Sequence, residues 1–197
     1  MYDLITEIPG YEVTAFVENL EKDRCNQQLE DLPILWIDEA AKYASTHLVI
    51  CALSTAHRRG YVDQAAALGL RLATLIHPAA RISKRATLAP GCFVSSNVSI
   101  ATRATLGQCA FVNRNASIGH HTTIGDYCTI QPNATVAGVV SIGADTYVGM
   151  GAMIIERKTI GQGCLIAAGA LVTTDLPARV CAMGLPAKII KTNIDPR

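Results

Sequence analysis

From Ile82 to Val172 every sixth residue is Ile, Leu or Val, sixteen hexads in unbroken register. A self-similarity of this kind decides the fold before any single residue does. A period of six fits neither the 3.6-residue turn of an α-helix nor a heptad seam. It fits a short flat β-segment followed by a turn. Four residues after each aliphatic stands a small or β-branched residue, as at Ala104, Ala110, Ala116, Thr122, Cys128 and Ala134, with Lys158 the exception. Gly107, Gly119, Gly125, Gly143, Gly149 and Gly161 directly follow the aliphatic. Three such faces make a coil of 18 residues, so residues 82–172 supply about five coils. In this reading the aliphatic points into a prism, the small residue fits the crowded corner, and coils stack about 4.8 Å apart.

Residues 1–76 carry no hexads. Strand-like runs at 12–17, 33–36, 47–53 and 71–76 alternate with helix-like stretches at 38–43 and 58–68, with Asp38 read as an N-cap and Gly69 as the residue after the second helix. This alternation points to a small α/β domain with a parallel sheet. The expected division is an α/β domain over 1–76, a β-helix over 77–175 and a tail over 176–197 that packs on the helix.

Composition narrows the function. A net charge of +1 argues against a nucleic-acid binder working through a general basic surface. No run reaches the roughly 20 apolar residues of a membrane span. The opening MYDLITEIPGYE has neither the basic nor the apolar region of a secretory signal. Seven scattered cysteines without metal-site spacing read as buried thiols in a reducing, cytoplasmic setting, with a catalytic thiol as the alternative.

The I-G hexads resemble those of the hexapeptide-repeat acyltransferases, over about residues 75–190. The order of an α/β segment, the LIHPAARIS junction, the hexads and the closing AMGLPAK is similar to the sugar acetyltransferases related to the sialic acid O-acetyltransferases and the nucleotide-amino-sugar N-acetyltransferases. The resemblance implies a left-handed parallel β-helix, a homotrimer with clefts between neighbouring helices, acetyl-CoA as acyl donor, a sugar or nucleotide-sugar acceptor, and no metal. The family's first strand leads into a glycine-rich nucleotide loop. No GxGGxG-like stretch precedes residues 11–17 here, so either the cradle is missing or the sequence starts after it.

Acyl transfer from a thioester needs a base, an oxyanion donor and a slot for the pantetheine arm. His120, in SIGHHTTIG, lies two residues after Ile118 and so outside the prism; an imidazole titrates near neutrality, and the resemblance makes it the general base. Gly138 follows 18 residues later and should stack on it, where its amide would hold the oxyanion. The family's acidic residue after the histidine is His121 here, and a further family position, polar or histidine, is Thr129. Gly149, Gly151, Ala152, Ala167, Ala168 and Gly169 form the expected pantetheine surface, and Lys188 in GLPAK the expected contact to the CoA phosphates. His57 and Arg58 lie after a strand end, where acceptor phosphate would bind; His77, before Pro78, reads as structural. Two other functions compete: a non-catalytic trimeric scaffold, which His121 and the absent loop favour, and a zinc enzyme of the same fold, which needs three convergent histidines and finds only His120 and His121 on the helix.

Overall fold

In the computed structural model, which describes residues 2–50 and 57–195, each hexad contributes one two-residue strand. Strands 18 residues apart pair in parallel, Ile100 opposite Ile118 and Ile118 opposite Val136. Three sheets of six, five and eight strands form the faces of a triangular prism. Face 1 carries the strands that include Ile82, Ile100, Ile118, Val136, Ile154 and Val172; face 2 those with Leu88, Leu106, Ile124, Ile142 and Ile160; face 3 those with Val94, Val112, Ile130, Val148 and Ile166. The inward aliphatics from Val94 to Val172 form one continuous buried core, while Ile82 and Leu88 at the first coil are half-buried.

From Gly91 to Gly169 each corner turns through one residue of positive φ, again every six positions: Asn97, Arg103, Cys109, Asn115, His121, Tyr127, Asn133, Val139, Asp145, Gly151 and onward. A non-glycine residue there costs roughly 1–2 kcal/mol, least for Asn and Asp and most for a β-branched side chain such as Val139. The ladder repeats the same bonds at each level. His121 N–H donates to Thr102 O at 3.0 Å, and Val139 N–H to His120 O at 2.8 Å. Inner corner residues also satisfy the turn carbonyls: Cys92 Sγ donates to Gly107 O, Cys128 Sγ to Gly143 O and Thr146 Oγ1 to Gly161 O, each at 3.1 Å.

The expected strand over 71–76 divides. Arg71–Leu72 pairs with Leu48–Val49 in the N-terminal domain, whereas Leu75–Ile76 pairs with Phe93–Val94 and opens face 3. The hexad register thus reaches back one step beyond Ile82. On face 3 the outward side chains Leu75, Phe93 and Phe111 sit beneath the N-terminal domain, where Ile5, Ile8 and Ala73 complete a second core and the two phenylalanine rings stack at 5.0 Å.

The N-terminal domain holds a three-stranded sheet, with Phe16–Glu18 parallel to Leu32–Trp36 and Gln28–Leu29 antiparallel to it. The expected strand at 12–17 is therefore shorter and lies later. Residues 51–53 of the expected 47–53 strand lie outside the described residues. Helix α1 (Tyr2–Thr6) precedes this sheet, and α2 (Ile37–Ala40) continues into a 3-10 turn (Ala41–Tyr43). Asp38 is not the N-cap of α2. Trp36 takes that place, and Asp38 accepts from Trp36 Nε1 at 3.2 Å from inside the first turn. Helix α3 (Arg58–Ala67) ends at Gly69, whose φ of 72° lets Leu70 N–H return to Ala65 O. His77 locks the junction: its backbone-facing Nδ1 accepts from Ala79 N–H, and its Nε2 meets Glu7 Oε2 at 2.7 Å.

After Val172 the last coil is shorter, with Leu165 opposite Cys181, and the segment over 176–197 adds two strands to face 3: Cys181–Gly184 in parallel and Ala187–Lys191 antiparallel.

Burial pushes the Cys92 thiol up to about 11 and the Cys128 thiol up to about 12. Both stay protonated in the fold at a pH where an unfolded thiol, near 8.5, has ionised. The unfolded chain then binds fewer protons, so stability falls as pH rises from about 9 towards 11, by at most about 1.4 kcal/mol per thiol per unit. Denaturant midpoints across that range are expected to drop in the wild type and to drop less in Cys128→Ala measured against its own value at about pH 8. A Cβ on Gly143 would meet Gln162 N at 2.5 Å, backbone that cannot step aside, whereas one on Gly60 in α3 meets nothing within 4 Å. Gly143→Ala is expected to lower the melting temperature, and Gly60→Ala to raise stability by up to about 1 kcal/mol.

Candidate active site

His120 stands on the corner between faces 1 and 2, exposed, in the position before the left-handed residue His121. One coil on, the same corner position is Gly138. A Cβ on Gly138 would lie 2.6 Å from His120 Nε2 and 2.7 Å from Cε1, so the imidazole occupies the space a side chain there would fill. Only glycine permits that approach. The carbonyls on both levels are tied by the ladder, His120 O to Val139 N–H and Gly138 O to Arg157 N–H at 3.1 Å. The Gly138 N–H has no hydrogen-bond partner among the described residues. A half-buried amide donor beside a solvent-facing imidazole can hold a developing oxyanion next to a proton acceptor.

The imidazole's own partner is unusual. His120 Nδ1 lies 3.1 Å from His121 Nδ1, with the rings edge to face, and His121 Nε2 lies 3.4 Å from Arg103 Nη1. Sequence reasoning singled out His121 but passed over Arg103, although its spacing of 18 from His121 places it on the same corner one coil earlier.

The six small residues expected to bind pantetheine are on a different corner, between faces 3 and 1. Two of them do other work. Ala152 is fully buried in the prism core, and Gly149 is glycine because the backbone of residues 166–168 passes where its Cβ would be. Gly151 and Gly169 hold the left-handed corner position with open space beyond them, and Ala167 and Ala168 lie between, half-buried and exposed. Lys188 is exposed on the final hairpin, opposite Met183. Within one chain the His120–Gly138 pair and this small-residue strip do not meet.

Arg58 is also corrected. It is 2% exposed, and its guanidinium donates to Cys109 O at 3.1 Å and Thr129 Oγ1 at 3.0 Å while lying over the Phe111 ring. A buried arginine so engaged pins α3 to face 3 and is not held out for an acceptor. This also explains Thr129, which is buried as its acceptor. Arg59 repeats the attachment at the surface, on Asp145 at 2.8 Å and over Tyr127. His57 remains exposed at the start of α3, lining a shallow cleft with Asn19, Leu20, Tyr61 and Gln64. This opens beside a second cleft of about 290 Å³ at the carboxyl end of Phe16–Glu18, mostly apolar, with Arg24, Tyr61 and Gln64 among its walls. Glu18 shapes its rim. The Leu20 and Asn19 amides and Arg24 all donate to the carboxylate and hold its pKa below the usual range despite burial.

Among the described residues no group of three or more His, Cys, Asp or Glu side chains is placed to hold a metal, and no helix is long and apolar enough to cross a membrane.

The bacterial transferase hexapeptide family (six repeats) matches residues 103–138, the stretch that contains His120 and Gly138. A mutant of perosamine N-acetyltransferase from Caulobacter crescentus, solved with CoA and GDP-perosamine, is similar over 84% of this chain and 80% of its own, with 30% identity and a TM-score of 0.77. The chain belongs to the hexapeptide-repeat acyltransferases. Its prism is accordingly a left-handed parallel β-helix. PerB of the same organism, also with CoA and GDP-perosamine, is similar over 90% of this acyltransferase and 96% of its own chain at 26% identity and a TM-score of 0.78. The acetyltransferase domain of PglB from Neisseria gonorrhoeae shares the fold over 96% of this chain and 92% of its own, with 24% identity and a TM-score of 0.85. No curated protein matches the chain by sequence.

Gly138→Ala forces the His120 ring aside but leaves the coil stacking alone. The expected result is a displaced set of His120 ring resonances with a melting temperature close to wild type; a large loss of stability would mean that the glycine serves packing instead.

Proposed function

We propose that this acyltransferase moves the acetyl group of acetyl-CoA to an amine or hydroxyl of a sugar or nucleotide-linked sugar, with His120 as general base and Gly138 as oxyanion donor. The observation that carries the reading is the imidazole resting on a glycine whose amide has no other partner among the described residues. The acceptor's nitrogen or oxygen attacks the thioester carbonyl while His120 Nε2 takes its proton. The Gly138 N–H bonds the oxyanion. Collapse breaks the C–S bond, and the departing thiolate receives the proton from His120. The similar perosamine enzymes hold CoA and a GDP-linked amino sugar, which supports both the donor and the acceptor class.

The two corners explain why a homotrimer fits this chemistry. The strip formed by Gly151, Ala167, Ala168 and Gly169 can reach His120 only from a second copy, with the pantetheine arm lying between two prisms and Lys188 near its phosphates. The acceptor would enter from the cleft that His57 borders. It would run along face 2, whose outward residues are Thr105, Thr123 and Ser141, towards His120. A cytoplasmic protein is the reading consistent with these reactants, since CoA and nucleotide sugars are made there.

His121, in place of a carboxylate, favours a second reading as a trimeric scaffold that binds without turnover. Calorimetry with acetyl-CoA and single-turnover assays over amino-sugar nucleotides separate the two. The enzyme reading expects micromolar binding, about one site per subunit, unchanged in His120→Ala, with kcat in that variant reduced about 10²–10⁴-fold. Binding without acetyl transfer in the wild type supports the scaffold; no binding of acetyl-CoA removes both the donor assignment and the enzyme reading.

A further inference from the structure

Arg103, His121 and Val139 hold the same left-handed corner position in successive coils, with φ of 58°, 57° and 60°. Their side chains therefore leave the corner in parallel, which brings Arg103 Nη1 to 3.4 Å from His121 Nε2. A guanidinium carries donors only, so the nitrogen it faces must offer a lone pair. A neutral His121 then keeps its proton on Nδ1 and donates it across 3.1 Å to His120 Nδ1. With Nδ1 accepting, the proton of neutral His120 resides on Nε2. Yet Nε2 is the nitrogen packed against Gly138, where a base must present its lone pair.

We infer that Arg103 is a latch on the tautomer of His120. While Arg103 engages His121, His120 shows the site an N–H. Once Arg103 is drawn off, His121 takes its proton on Nε2 and accepts at Nδ1 from His120 Nδ1–H, and the lone pair of His120 Nε2 is free to act as base. No net proton is gained or lost; each ring exchanges one tautomer for the other. A carboxylate at position 121 would hold the active tautomer permanently, and its replacement by histidine makes the tautomer depend on a neighbour. Arg103 is exposed, and a phosphate-bearing ligand arriving at this corner can compete for it through a bidentate bond that His121 cannot match. The other charged residues on the corner ladder are Lys84 and Arg85 below and Glu156, Arg157, Lys158 and Asp175 above. Arg103 and His121 are thus positioning residues, acting through His120. The inference rests on His120 being the base, and the test reads the tautomer separately from activity.

The full chain, labelled with 15N-histidine, is studied by long-range 1H–15N correlation at about pH 8, where ordinary imidazoles are neutral. The wild type is expected to show His120 as the Nε2–H tautomer, and to move to Nδ1–H on adding GDP, the nucleoside diphosphate of a nucleotide-linked acceptor. Arg103→Met and His121→Glu should each show Nδ1–H without ligand and raise kcat by up to about tenfold, and combining the two should add nothing further. An unliganded wild type already in the Nδ1–H form overturns the latch. So does an Arg103→Met that lowers kcat with the His120 tautomer unchanged, which would make Arg103 a ligand contact. Loss of the base reading itself looks different: full activity in His120→Ala, whatever the tautomer.

Discussion

The in-register stacking of parallel coils 18 residues apart is the constraint on which the rest depends. Each strand residue gives and receives its ladder bonds at the same offset, as Thr123 N–H to Val140 O and Gly125 N–H to Ile142 O at 2.9 and 2.8 Å. A coil cannot slip by one residue without turning its aliphatic outward and breaking the corner bonds together. Side chains at equal corner positions are consequently lined up about one strand spacing apart. That alignment seats His120 on Gly138, carries Arg103 to His121, and obliges glycine wherever the next coil's backbone passes close.

The cost of this regularity falls on the corners. One residue in six must take a left-handed backbone, and the chain meets this with Asn, Asp or Gly at some levels and tolerates Arg, His, Tyr and Val at others. Val139 is the most strained of these and lies beside Gly138, exposed, at the level where the oxyanion would be held. Strain of this kind persists where the surrounding ladder over-determines the backbone.

The prism has three faces, and the N-terminal domain takes one. Its docking through Arg58, Arg59, Phe93 and Phe111 covers face 3 and leaves the corner of His120 open. The proposed chemistry then divides among separate edges: the base on one corner, the small-residue strip on another, the acceptor cleft by the docked domain. Under the proposed function, assembly of several copies would bring these edges together.

Much of this was legible in the sequence because a fixed period converts position into geometry. Spacing alone put His120 outside, Gly138 above it, and the aliphatics inside. The period also held further signals: the first three outward residues of face 3 are Leu75, Phe93 and Phe111, where faces 1 and 2 carry mostly Ser and Thr, the mark of a covered face, and Arg103 stands 18 before His121. The N-terminal domain has no such ruler, so its strand limits and the cap of α2 shifted, and Arg58 could not be told from a ligand-binding arginine. A residue type states what a side chain can bond; only the tertiary structure decides whether the bond is to the protein or to a ligand. For Arg58 burial against Cys109 and Thr129 decided it. The proton between His120 and His121 depends likewise on a 3.4 Å contact from the coil before, a matter of side-chain direction that no periodicity carries.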